Sequence, residues 1–218
     1  MSKFKEIFAS SRMVLIGAIF AVVSMSVDLI FVLGAVFTYT SLPFRMLWSF
    51  YFPMLIPNTG YSMMDQAISE LGIGPSAFMF NTGLIIGGIL SLPVFPGLLG
   101  LFRGSNIARI GAVFGVFGAV GSIGVGLCPM VVSPYHGLFA MIFFLSAGIA
   151  IILLSVEMYR ITFFPKVLAI YGFFFAAVDV LFIILKTWIL EWSVFFVVAT
   201  WIIAVGVWVL LKHKEIQI

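Results

Sequence analysis

Apolar residues in this chain come in long blocks separated by short polar breaks, with no strict two-residue alternation. Six blocks stand out: Arg12–Phe37, Ser76–Phe102, Ile107–Cys128, Gly137–Tyr159, Lys166–Thr187 and Trp192–Leu211. Each is close to the ~20 residues that cross ~30 Å of hydrocarbon at 1.5 Å per residue. In hydrocarbon only helices and closed barrels satisfy their own backbone polar groups, and the ~10-residue alternating segments of barrel strands are not visible. The pattern predicts an all-α integral membrane protein, a six-transmembrane-helix bundle forming a single domain over residues 1–218. The first block outruns the ~7–15 apolar residues of a signal peptide, and no clear A-x-A cleavage site follows it, so it is expected to remain in the mature chain.

One connection is long, the loop 38–75. Loops beyond ~15 residues are usually functional or disordered, and this one carries signs of order. Its first part, LPFRMLWSFYFPMLIP (42–57), is aromatic and bracketed by prolines, which suits the headgroup layer. Asn58-Thr59-Gly60 predicts a turn. Ser62 with Asp65 three residues on resembles a capping box, and Gly72 fits the end of a short helix over Met63–Leu71. Met63, Met64, Ala67, Ile68 and Leu71 would share one face, with Glu70 at its margin and Asp65 and Ser69 pointing away. Pro93 and Pro96 predict a kink in the second block. Glycines at 83 and 87, and at 111 and 115, predict close helix packing.

Composition agrees with the membrane assignment: 63% hydrophobic residues, 9% charged and a mean hydropathy of +1.27. Charge adds orientation. Lys3, Lys5, Arg12, Arg103, Arg109, Arg160, Lys166, Lys212 and Lys214 fall on the side of the termini, and only Arg45 and Lys186 fall on the other. By the positive-inside rule the termini are cytoplasmic and the long loop is extracytoplasmic. The net charge of +3 then reflects topology and anionic lipid headgroups. No basic cluster forms a nucleic-acid footprint. The single cysteine, Cys128, excludes an internal disulfide and a thiolate metal cluster.

Asp28 in the first block and Asp179 in the fifth each lie about nine residues, ~13 Å, from the outer end. An acid at that depth costs ~2.5–3.5 kcal/mol on insertion scales and normally faces the bundle interior with a partner. With Lys186 two turns beyond Asp179, His136 at the start of the fourth block and Asn81 near the start of the second, these residues predict an outward-facing polar cluster. Ser69 and Glu70 would cover it from the loop. The same aspartates would serve equally as protonated scaffolding between helices. Glu157 is expected to pair with Arg160, and His213 to sit solvated in the basic tail. No nucleophile elbow, H-E-x-x-H or Walker loop is present. Two histidines on opposite sides of the membrane cannot share a haem. His136 with two carboxylates would barely supply three zinc ligands, at no recognised spacing. No cofactor or metal is expected.

ISELG (68–72), FN-x-G (80–83), the glycine-rich third block ending GLCP (126–129) and HGLFA (136–140) resemble an uncharacterised prokaryotic six-helix membrane family, one of the domain-of-unknown-function families. The chain is also distantly similar to the Frag/DRAM/Sfk-like membrane proteins. The resemblance runs through nearly the whole chain and implies a multi-pass protein of a prokaryotic plasma membrane. It singles out Ser69, Glu70, Gly72, Asn81, Pro129 and His136. Leu127-Cys128 stand where an aromatic is usual and Met130 where a polar residue is common, which counts against a polar role for that turn. The expected function is non-catalytic binding of a lipid headgroup or small molecule in the outer pocket. The alternatives are an accessory subunit packed on other membrane proteins or in a homo-oligomer, and an intramembrane hydrolase or proton-coupled carrier that uses Asp28 and Asp179.

Overall fold

The computed structural model describes residues 11–39, 44–48, 53–57, 60–102, 104–130 and 132–212. Six helices are long and apolar enough to cross a membrane: Arg12–Tyr39, Gly74–Leu101, Asn106–Leu127, His136–Arg160, Lys166–Leu185 and Trp188–Lys212. We call them spans one to six. The chain is therefore a six-helix bundle and a multi-pass membrane protein, with the expected order of elements. In the long loop, Phe44–Trp48 pairs antiparallel with Pro53–Pro57, a short hairpin that the hydropathy pattern does not announce. Parts of the aromatic run, residues 58 and 59 of the expected turn, Arg103 and His213 lie outside the described residues.

Consecutive spans pack side by side, and span six returns to span one, closing a ring. Span two is broken where its prolines predict. Its first helix ends at Ser91, a second runs Val94–Leu98, and a 3₁₀ turn follows at Leu99–Leu101. Pro93 cannot donate to the ladder, so the chain bends there and resumes with Gly97 N–H bonding to the Pro93 carbonyl at 3.0 Å. Span six starts at Trp188, four residues before its expected start, because the Leu190 and Glu191 amides both bond to the Thr187 carbonyl at 3.1 Å. That extra turn brings Glu191 into the fold, 7% exposed. Glu157 and Arg160 form the expected ion pair at 3.0 Å.

Membrane helices gain packing energy by close approach, since lipid tails are as apolar as the helices. The tightest crossing is Gly17 of span one on Gly97. A Cβ on Gly97 would stand 2.5 Å from the Gly17 Cα and 2.8 Å from the Met13 carbonyl, both backbone atoms that cannot rotate away. Small residues of span three do the same against span four, where a Cβ on Gly121 would lie 2.6 Å from the Phe143 nitrogen. Gly97→Ala should therefore destabilise the bundle by about 1–3 kcal/mol, the usual cost of overpacking. Gly137→Ala, with nothing within 4 Å, should leave stability unchanged. Thermal or SDS denaturation of the purified protein in detergent compares the two. Equal stability of both variants would disprove the close crossing.

Candidate functional site

The segment from Tyr61 to Gly72 covers the long-loop end of the bundle. The expected α-helix over Met63–Leu71 is replaced by turns and a 3₁₀ helix, Ile68–Gly72. Ser62 Oγ does donate to Asp65 Oδ2 at 2.7 Å, but this pair opens a turn. The helical start lies further on, where Glu70 Oε1 accepts from the Ala67 amide at 3.3 Å. An irregular segment at this level leaves backbone groups that neither a helix nor lipid can satisfy. Side chains of spans two and six and of the lid itself supply what is missing, and span one anchors Gln66.

Each bond has an identifiable origin. From span six, Glu191 Oε2 accepts from the Ile68 amide at 3.0 Å, and Trp192 Nε1 donates to Tyr61 Oη at 3.0 Å. Tyr61 Oη in turn donates to the Ala67 carbonyl at 2.7 Å. From span two, Asn81 Nδ2 donates to the Gly72 carbonyl at 3.1 Å. Gln66, fully buried, donates from Nε2 to Tyr39 of span one at 3.0 Å and to Glu70 Oε2 at 3.1 Å, while its Oε1 accepts from the Ser62 amide at 2.8 Å. Tyr39, Tyr61 and Trp192 also meet edge to face, with ring centroids 5.2 and 5.7 Å apart. Glycine at 72 lets Asn81 pack closely, since a Cβ there would lie 2.8 Å from its Oδ1 and push the side chain aside. The ISELG and FN-x-G segments are thus two halves of one fastening.

Beneath this lid lies a partly open cavity of about 90 Å³. Spans one, two, three, four and six and the lid line it, whereas span five contributes nothing. Six of the 25 lining residues have polar side chains: Asp28, Ser69, Ser91, Ser122, His136 and Glu191. The remainder are glycine or apolar. No Lys or Arg lines the cavity among the described residues. Ser69, His136 and Glu191 line its long-loop end. His136 Nδ1 donates to the Cys128 carbonyl at 2.8 Å, tying down the turn between spans three and four. Ser69 Oγ donates to Met130 Sδ at 3.1 Å, so the departure at position 130 still leaves a weak acceptor. Deeper in, Ser122 Oγ donates to the Leu84 carbonyl at 3.1 Å.

The predicted cluster is therefore divided. Asp28, Ser69 and His136 reach the cavity. Glu70 and Asn81 are bound up in fastening the lid. Asp179 is buried against Gly148, where its Oδ2 would lie 2.4 Å from a Cβ, and it does not line the cavity. The two acids lie at similar depth, each about three residues beyond the midpoint of its helix towards the long-loop end, but they face different neighbours. Lys186 caps span five in the left-handed region (φ 50°) and is exposed. Gln66, Tyr61 and Glu191 were missed from the sequence. The signal for Glu191 was its place beside Trp192 at a helix start, where an acid is favoured.

Burial pushes the Tyr61 phenol above its ordinary value of 10.0, with Trp192's hydrogen bond opposing and the Glu191 and Glu70 carboxylates adding to the rise. A lid that opens exposes a tyrosine able to ionise above pH about 10, while the closed lid keeps it protonated. The open form thus binds fewer protons, so lid stability is complete below pH 10 and falls as pH rises beyond it. Tyr61→Phe leaves the Trp192 N–H unpaired, at a cost of about 1–3 kcal/mol, while the Ala67 carbonyl keeps only the Glu70 amide. Exchange of the 62–72 amides, corrected for intrinsic rate, should rise about fivefold or more at pH 7 by that magnitude. The variant should also respond less to pH between 9 and 11 than wild type does. Unchanged exchange at pH 7 would show that the lid is held without Tyr61.

The sequence pattern of a family described as protein of unknown function (DUF998) matches residues 46–208, from the hairpin to the last turns of span six. No curated protein and no solved structure matches the chain. The matched stretch takes in the lid and all the cavity-lining residues except Met25 and Asp28 of span one. On a match covering well over half its length, the chain belongs to the DUF998 family.

Proposed function

We propose that the protein binds a lipid headgroup or a small amphiphilic molecule in the lidded cavity, without chemistry on it. One observation carries this proposal: an apolar cavity bearing a few fixed polar groups, closed on one side by a segment that must be fastened to stay there. Ligand sites generally combine an apolar wall with a small number of placed polar groups. The excess of Lys and Arg on the side of the termini supports cytoplasmic ends and an outward mouth. A plasma-membrane location fits that arrangement. A carrier or hydrolase working through both aspartates draws less support, because Asp28 and Asp179 have separate surroundings.

Ala140 lines the cavity one turn beyond His136 and is half-buried, so Ala140→Trp should fill the mouth while leaving the lid's bonds intact. Protein purified in mild detergent or nanodiscs should carry a specific small molecule or lipid, detectable by extraction and mass spectrometry. Ala140→Trp should reduce its occupancy by about tenfold or more, a change of ~1.4 kcal/mol. Equal recovery of the same species from both proteins would reject the cavity as the binding place.

A further inference from the structure

Two buried polar atoms without a hydrogen-bond partner belong to residues of the cavity wall. Asp28 is 5% exposed and its Oδ1 has no hydrogen-bond partner; Ser91 is also 5% exposed and its Oγ has none. Both residues line the cavity. They lie close together, since Asp28 Oδ1 packs 2.0 Å from where a Gly87 Cβ would stand. Ser91 is one helical turn further along that face, which places its Cβ about 5–6 Å away. A single donor group between them could reach both at ordinary hydrogen-bond distance. Buried polar atoms without partners are costly enough that each calls for an explanation.

The cavity contains a carboxyl and a hydroxyl here and, among the described residues, no Lys or Arg that could neutralise them. The other lining carboxylate, Glu191, already accepts from Ile68. A partner rich in donors and positive in charge fits; a phosphate or carboxylate would meet two carboxyl groups and, among the described residues, no cation, with only hydroxyl and imidazole groups to donate to it. We infer that Asp28 with Ser91 receives the protonated amine of a small, partly apolar organic cation, whose apolar body lies against the surrounding cavity wall. Depth separates this ligand from a bilayer lipid. Asp28 is three residues, about 4 Å, from the midpoint of its helix and so near the middle of ~30 Å of hydrocarbon, whereas lipid headgroups stay at the interface. The inference rests on the cavity holding a ligand, as proposed above, and names the class of that ligand.

Octylamine, octanol and octanoate serve as probes, being one chain with three ends. Octylamine is charged at pH 7, like a lysine ammonium. The intact protein in nanodiscs is titrated with each, and the shift in thermal midpoint is read against the Asp28→Asn and Ser91→Ala variants. Octylamine should bind at least ~tenfold more tightly than octanol, in line with a charge-assisted hydrogen bond. Octanoate should bind least. Asp28→Asn should erase the preference for the amine while keeping the octanol response, and Ser91→Ala should weaken amine binding in part. If Asp28→Asn does not fold, Ser91→Ala decides: amine binding unchanged in that variant overturns the inference. Equal binding of octylamine and octanol by wild type also overturns it and leaves the cavity's general ligand-binding role standing. If no probe shifts the midpoint, and Ala140→Trp recovers the same co-purified molecules as wild type, both ideas fail together.

Discussion

An irregular backbone segment at the mouth of a membrane bundle is the constraint on which the rest depends. Residues 61–72 are neither a regular α-helix nor a strand, and their amide and carbonyl groups cannot turn to lipid. An unpaired buried backbone group costs about as much as a lost hydrogen bond. The polar residues of this apolar chain are gathered there mainly to meet that demand. Glu191 takes the Ile68 amide, Asn81 holds the Gly72 carbonyl, and Tyr61 holds that of Ala67. Gln66 is the centre of the arrangement, since its three bonds join the lid to itself and to span one.

The space beneath the lid follows from a second constraint. Helices that must touch closely do so through small residues, and small residues cannot also fill the centre of a ring of helices. Gly118 of span three illustrates this. A Cβ there would meet Ala147 no nearer than 3.6 Å, and both residues line the cavity. Gly115 differs, because Phe95 occupies its notch and a Cβ would stand 2.1 Å from that ring. The void thus lies along span three between places where large side chains have come in. The acids use similar notches, with Asp28 against Gly87 and Asp179 against Gly148.

The spans were legible because their signal is an average over ~20 residues. Even so, hydropathy trims a helix at its first charged residue, and Glu191 falls just outside the sixth apolar block. The break at Pro93 was legible from covalent chemistry alone. The Met63–Leu71 helix was not, because helical spacing of apolar residues also suits a compact coil whose core lies on one side; Ile68 and Leu71 are buried in either arrangement. Depth along a helix placed Asp28 correctly in the interior. Depth says nothing about which neighbour an acid faces, and Asp179 turns to Gly148 on a span that supplies none of the cavity wall.

Lid and cavity share residues, and that sharing links order in one to occupancy of the other. Glu191 binds the lid backbone with one oxygen and lines the cavity. Ile68 donates to Glu191 and forms part of the same wall, while Ser69 beside it reaches Met130 across the mouth. His136 fixes the turn that carries Met130 through its bond to Cys128, two residues earlier. A molecule settling against Ser69, His136 or Glu191 would therefore touch groups whose positions the lid's own bonds determine. Loosening those bonds would move the wall, and filling the cavity would oppose their loosening. Reciprocity between two such sites is a thermodynamic requirement once they are coupled at all.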